Sequence, residues 1–427
     1  MSDTTNKSNQ DSILKKPLSR RDVLRLAGTG GLGLLLGGGS IGGILAAQNK
    51  KKAVASPIDA AHTVPFYGQH QAGVVTPSQN FIYFASFDVT TKERNSLKKL
   101  FQAWTEASVA MTEGAMVGTD NHNLNLPPSD TGEAAGLTPA RCTITFGAGP
   151  SLFDSRFGLQ SKRPPNFKDL PAFSSEQLEP EWCGGDLVVQ VCADDLQVAF
   201  HAIRNLVRIA RGTAVLRWTQ EGFQRTGQAD PAAGTPRNLL GFKDGTGNPD
   251  VKDSKLMNNV VWAQSSDGAS WMSGGTYMAV RRVRMRIEIW DRSSLRDQEA
   301  TFGRYRDSGA PLGSKQEFDP VDLKSAGEDG KLHIPANSHM ALTKGDGSVQ
   351  LLRRSYSYSG GINLKTGQLD AGLLFISFQR DIKQFVTIQE RLAKSDKLNE
   401  YTVHVGSAIF ACFPGVSKGG YIGDTLL

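Results

Sequence analysis

The chain has 427 residues, 39% of them hydrophobic, enough to bury a large core and too many for a disordered chain. Its formal net charge is +6 at pH 7, but that excess is local: residues 1–55 carry nine Lys/Arg against three Asp/Glu, leaving 39 of each sign in the remainder. A balanced main body argues against a nucleic-acid footprint, and the length points to two domains or one duplicated one.

At the amino terminus, Ser19-Arg20-Arg21-Asp22-Val23-Leu24-Arg25 precedes an uncharged, Gly-rich and apolar stretch from Leu26 to Ala47. This is the layout of a targeting segment. The paired arginines resemble a twin-arginine signal, whose translocase exports proteins already folded, commonly with a cofactor inserted beforehand. Cleavage is expected after Ala47 or Ala55; the alternative is retention as an anchor, since these 22 residues are long enough to span a bilayer. Residues 48–65 read as an exposed linker.

Further along, residues 81–89 form a β-rich run, and residues 92–114 carry Leu97, Leu100, Phe101 and Trp104 at helical spacing. Residues 142–146 and 186–192 read as strands, 194–210 as a helix and 213–218 as a closing strand. The same grammar returns in the second half: a long strand at 277–290, a short helix at 294–303, a strand at 373–379 and a helix at 385–393. Helices too few to cover both faces of a sheet favour an α+β fold with antiparallel sheets and one helix layer per sheet, in a duplicated ferredoxin-like arrangement. The polar, Gly/Pro-rich stretch 220–238 is the candidate boundary. The expected organisation is a signal and linker at 1–55, an N-terminal ferredoxin-like domain at 56–235 and a C-terminal one at 236–427. Residues 308–330 read as a surface loop or lid. Cys142, Cys183, Cys192 and Cys412 show no CxxC or CxxCH spacing, which argues against zinc, thioredoxin-like and covalently attached haem chemistry. They read as small buried hydrophobes, with a disulfide after export left open.

The most distinctive motif is Gly241-Phe242-Lys243-Asp244-Gly245-Thr246-Gly247-Asn248-Pro249. Glycines on both sides of one aspartate permit a tight turn and close approach to a flat ligand; the same residues also suit an ordinary turn. His339 begins an apolar run after a proline turn, where an imidazole can ligate haem iron or serve structurally. Arg353 and Arg354 interrupt an alternating strand-like run, so one must face the core side and needs an anionic partner.

Together these three segments resemble the dye-decolorising (DyP-type) haem peroxidase family. Supporting matches run along most of the chain: Asp130-Thr131-Gly132-Glu133, residues 143–147, Glu288-Ile289-Trp290-Asp291-Arg292, Gln298-Glu299 and residues 369–375. With the twin-arginine leader, the likeness is to the exported deferrochelatase/peroxidase branch. It implies a dimeric α+β barrel type of fold and one non-covalent haem b per chain. It implies His339 as the proximal iron ligand, Asp244 as the distal proton carrier and Arg353 as the distal cation contacting cofactor and peroxide. Gly245, Thr246 and Gly247 are implied to line the haem edge. The implied partners are hydrogen peroxide, a small-molecule or ferrous-iron electron donor, the twin-arginine translocase, an iron-permease complex and further copies of the chain in a homo-oligomer. The implied location is the periplasm, cell surface or extracellular space. Two alternatives to peroxidation are release of iron from haem and a non-enzymatic haem-delivery role. One departure stands out: many relatives continue the histidine as His-Ile-Arg and soon carry Asn-Pro-Arg, whereas this chain has His339-Met340-Ala341 and Thr343-Lys344-Gly345-Asp346. Haem-propionate contacts from that loop do not carry over.

Overall fold

The computed structural model describes residues 62–119, 123–225, 234–364 and 366–427; the expected targeting segment lies outside them. In β1 (Phe81–Val89), residues alternate between two apolar environments. Tyr83, Ala85 and Phe87 join one core cluster, and Ile82 and Phe84 join another. Both faces of this strand are buried, so it reads as a continuous hydrophobic run.

The first half then runs through α1 (Arg94–Thr112), β2 (Thr143–Ala148), β3 (Leu187–Ala193), α2 (Leu196–Ile209) and β4 (Ala214–Phe223). Helix α2 begins at Asp195, whose carboxylate accepts from the amides of Gln197 and Val198, and it buries Val198, Ala199, Ala202, Ile203 and Leu206 on one face. Trp104 on α1 donates its indole N–H to the Leu206 carbonyl at 2.9 Å, which fixes the two helices to each other over the sheet.

In the second half, β5 (Thr276–Met285) leads to two short helices, α4 (Ile287–Trp290) and α5 (Leu295–Phe302), after the earlier α3 (Ser254–Val260). There follow α6 (His339–Lys344), β6 (Leu352–Arg353), β7 (Tyr356–Ile362), β8 (Leu369–Gln379), α7 (Ile382–Ser395) and β9 (Thr402–Cys412). The strand expected to reach residue 290 stops at Met285, where its last pairing is with Thr402 and the next amide, of Arg286, turns to the Tyr401 carbonyl. Beyond that point there is no partner strand, and the chain coils into α4. β4 likewise runs past the expected end at 218 to Phe223, because β1 offers partners along its whole length. β9 has no counterpart among the sequence-derived elements.

The strand order is β5-β9-β2-β3-β1-β4-β7-β8-β6, with β5 also pairing β8. Every pairing between named strands is antiparallel. Each half has the β-α-β-β-α-β wiring of a ferredoxin-like unit, and the sheets meet through β2–β9 and β4–β7. The result is a mixed α+β fold around a closed antiparallel sheet. Its interior holds Phe84, Val188, Trp218, Met278, Tyr356, Leu374, Ile376, Phe378 and Phe410. The four cysteines are free thiols, three of them buried. Among the described residues no helix is long and apolar enough to cross a membrane.

Closure depends on close backbone approach between β8 and β5. A Cβ on Gly372 would stand 1.9 Å from the Val283 carbonyl oxygen. Gly372→Ala should therefore destabilise the protein by about 1–3 kcal/mol, seen as a lower urea midpoint. An unchanged midpoint would show that this contact does not limit stability.

Candidate active site

The Gly241–Asn248 segment forms a loop ahead of α3, and its shape is set by backbone chemistry. Gly241 and Gly245 have φ of +84° and +116°, conformations that L side chains rarely adopt. The Asp244 amide donates to the Pro236 carbonyl at 2.8 Å, and the Asn248 amide to the Gly245 carbonyl at 2.9 Å. The Asn248 side chain then reaches across to β6: its Nδ2 donates to the Arg353 carbonyl at 2.8 Å, and its Oδ1 accepts from the Arg353 amide at 3.1 Å. One asparagine thereby satisfies both backbone groups of Arg353.

With the loop held there, Asp244 Oδ1 accepts from Arg353 Nη1 at 2.9 Å. Both side chains are half-buried, at 21% and 29% exposure, and both line a cavity of about 520 Å³. That volume lies in the range of ligand pockets, ~300–1,000 Å³. Gly245, Thr246, Asn248, Phe318 and Leu373 also line it; Gly247, expected beside them, does not.

Arg354 corrects an expectation. It is the core-facing arginine of the pair, 3% exposed, but its guanidinium donates to the Thr76 carbonyl at 2.5 Å and to the Gln79 side chain. Uncharged oxygens stand where a carboxylate was expected. The arginine with the carboxylate partner is the cavity-facing Arg353.

His339 is the first residue of α6, capped by Ser338, whose hydroxyl accepts from the Ala341 amide. Its Nδ1 lies 2.7 Å from Oδ2 of Asp396. Asp396 is nearly buried, at 3% side-chain exposure, and its other oxygen accepts from the Leu398 amide at 2.9 Å. A carboxylate accepting from Nδ1 fixes the tautomer and leaves Nε2 as the lone-pair donor, the arrangement typical of a metal-ligating histidine. His339 stands outside the lining of the Asp244–Arg353 cavity, yet an apolar cluster connects them. Leu373 lines the cavity, Phe302 sets its ring edge-on to His339 at 6.3 Å, and both pack with Phe242 and Trp290. An oriented imidazole, an apolar floor and a carboxylate–guanidinium pair together form a donor set that fits a haem.

Two profile matches cover most of the chain: residues 71–224 match Dyp-type peroxidase, N-terminal, and residues 235–417 match Dyp-type peroxidase, C-terminal. The chain belongs to the Dyp-type peroxidase family. A protein named deferrochelatase from Escherichia coli O157:H7 is 39% identical over 420 residues, covering 96% of this chain and 97% of that one. The crystal structure of a DyP-type peroxidase from Streptomyces coelicolor superposes with a TM-score of 0.80 at 35% identity, over 87% of this chain and all of that one. One from Cellulomonas bogoriensis superposes at 0.78 with 38% identity, over 85% and 98%.

Three candidates around these residues escaped the sequence reading. Asp396 lies 57 positions from His339 and reads locally as a helix cap. Asn248 reads as turn chemistry, and Glu317 sits in the irregular stretch between α5 and α6. The loop after His339 turns away from the cavity: Lys344 Nζ donates to the Val321 carbonyl at 2.8 Å, and Asp346 faces Arg391 at 3.5 Å. The Asp130-Thr131-Gly132-Glu133 match belongs to the first half, where Asp130 accepts from His201 at 2.7 Å and from the Val117 and Gly132 amides at 2.6 Å. Asp130, Glu133 and His201 are the one group of three potential metal ligands converging among the described residues. Arg204 and the amides already meet their charge, so the group serves as a clamp between that loop and α2.

Because Asn248 satisfies two backbone groups at once, Asn248→Ala should cost about 1–3 kcal/mol, with Asn248→Asp intermediate because it keeps the acceptor. Urea titrations of the three proteins check this. Equal midpoints would mean water replaces the amide without loss.

Proposed function

We propose that this chain is a haem b peroxidase that reduces hydrogen peroxide to two waters with two protons and two electrons from one-electron donors. The observation that carries the reading is the Asp244–Arg353 pair facing a cavity whose apolar wall continues to a carboxylate-backed histidine. Bound haem supplies the redox chemistry. His339 would hold it through Nε2, with Asp396 raising the basicity and fixing the orientation of the imidazole. Gly245 and Thr246, which line the cavity, would offer their backbone to it.

Asp244 has the proton-transfer role. Its carboxylate takes a proton from one oxygen of the peroxide and delivers it to the other, so that the second oxygen can depart as water. The Arg353 guanidinium stabilises the negative charge that builds on the oxygens during this transfer, and between turnovers its hydrogen bond keeps Asp244 oriented. A haem carrier has no need of this pair. Relatives named deferrochelatase support a second reading, release of iron from haem at the same site.

The donor is proposed to be a small molecule or ferrous iron. A role in iron uptake beside a permease is proposed on the family resemblance alone. Residues 1–55 are proposed to direct export of the folded, haem-loaded protein through the twin-arginine translocase, to the periplasm, cell surface or beyond. The supporting observation is Arg20-Arg21 ahead of an uncharged apolar run.

Asp244→Asn should keep its haem and Soret band but react with peroxide about 100-fold or more slowly, whereas His339→Ala should lose most of its haem. Stopped-flow spectroscopy and haem quantification check both; a wild-type rate in the first or full occupancy with an unaltered spectrum in the second refutes that residue's role. Changing Arg20 and Arg21 to Lys should leave folded protein in the cytoplasm, as read by cell fractionation, and continued export would refute the signal.

A further inference from the structure

We propose that Glu317 is a positioning residue for Asp244, gripping that aspartate's loop from outside the cavity through Lys243 on one side and Thr246 on the other. The inference rests on the proton-transfer reading of Asp244. Glu317 belongs to the stretch that sequence alone marks as a surface loop, yet its side chain is only 10% exposed. Its Oε2 lies 2.5 Å from the Lys243 ammonium, and its Oε1 accepts from the Thr246 hydroxyl at 2.8 Å and from the Thr235 hydroxyl. A solvated loop carboxylate does not gather three donors from one neighbouring segment.

The grip is anchored at its own end. Arg304 donates to the carbonyls of Glu317 at 3.1 Å and Gly309 at 2.6 Å. Gly309, at φ +76°, gives its missing side chain's place to the Lys243 stem, since a Cβ there would stand 2.6 Å from Lys243 Cδ. Phe318, the next residue, lines the cavity, so one short segment fixes both the Asp244 loop and part of the wall. Burial works against the Glu317 charge, but Lys243 and the two hydroxyls outweigh it and hold the carboxyl below its usual range.

Arg237 and Arg354 line the same cavity as Asp244, and both are held by uncharged oxygens that a Glu317 substitution leaves in place. Arg353 pairs with Asp244 itself, Lys243 pairs with Glu317, and Arg304 is a further cation acting on both Arg353 and Glu317. Removing the Glu317 charge leaves Lys243 unbalanced beside Asp244. An uncompensated cation favours a neighbouring carboxylate over its neutral acid, so the acid limb of the pH–rate profile should move to lower pH.

The test uses the haem-loaded protein as wild type, Glu317→Gln, the double variant Glu317→Gln/Lys243→Met, and Asp244→Asn. Glu317→Gln should react with peroxide about 10- to 100-fold more slowly at its optimum, with the acid limb lower by roughly half a pH unit and haem content unchanged. The double variant should return the limb to its wild-type position while remaining slow. A second measurement is independent of turnover: amide hydrogen exchange across residues 241–248 should be faster in Glu317→Ala than in wild type, both with haem and without it. An unmoved limb and wild-type exchange in the Glu317 variants, with Asp244→Asn slow, would overturn the inference alone. A wild-type rate in Asp244→Asn would overturn the proton-transfer reading beneath it, while the exchange result would still decide whether Glu317 orders the loop.

Discussion

The site depends on β8. On one edge this strand pairs with β5 over residues 277–284, and on the other it takes β7 and then β6. The first pairing closes the sheet; the second sets Arg353 opposite Ser377 and so decides where the guanidinium emerges. β8 also contributes Leu373 to the cavity wall and Leu374, Ile376 and Phe378 to the interior. A strand with neighbours on both edges and packing on both faces has its register fixed, because a slip of one residue would exchange cavity wall for core.

From that fixed edge the polar groups are placed by pairwise contacts. Asn248 joins the glycine-rich loop to the backbone of Arg353, the Asp244–Arg353 ion pair spans the gap between them, and Glu317 with Lys243 holds the loop from behind. On the other side of the apolar cluster, Asp396 orients His339. Each charge with a proposed role in the chemistry has a partner of opposite sign or a carboxylate behind it. Half-buried groups in such pairs keep their direction without relying on water, which is what preorganised electrostatics requires. Removing one partner should therefore alter the behaviour of the other more than it alters the fold.

The family likeness and the local departures fit the same picture. The profile matches cover both halves, but the loop after His339 keeps its basic side chains away from the cavity: Lys344 is spent on the Val321 carbonyl, and Arg391 fills the place where a Cβ on Gly345 would stand. The cations that do stand around the cavity, Arg237, Arg353 and Arg354, come from the stretch before the glycine-rich loop and from β6 and its following turn. Arg354 donates to the Thr76 carbonyl and the Gln79 side chain, and Arg237 to the carbonyls of Gly241, Arg306 and Asp307, so among the described residues only Arg353 of the three meets a carboxylate.

Much of this was legible in the residues alone. Alternation and helical spacing located most strands and the longer helices, because those signals are local and follow from which faces are buried. Asp244, His339 and Arg353 stood out as candidates because glycine spacing, a histidine after a proline turn and arginines in an apolar run together resemble the family's motifs. The charge excess of residues 1–55 was a matter of counting. The rest was decided in three dimensions. Sequence could not tell which of two adjacent arginines meets a carboxylate, since that depends on the β6–β8 register. Nor could it give Asp396 its partner or Glu317 its burial, because each meets its site across 57 to 82 positions of chain, and local pattern carries no information about contacts that only packing creates. It ran β5 past Met285 and missed β9 for the same reason: a strand ends or exists where another strand offers hydrogen bonds, and that offer comes from the closed sheet.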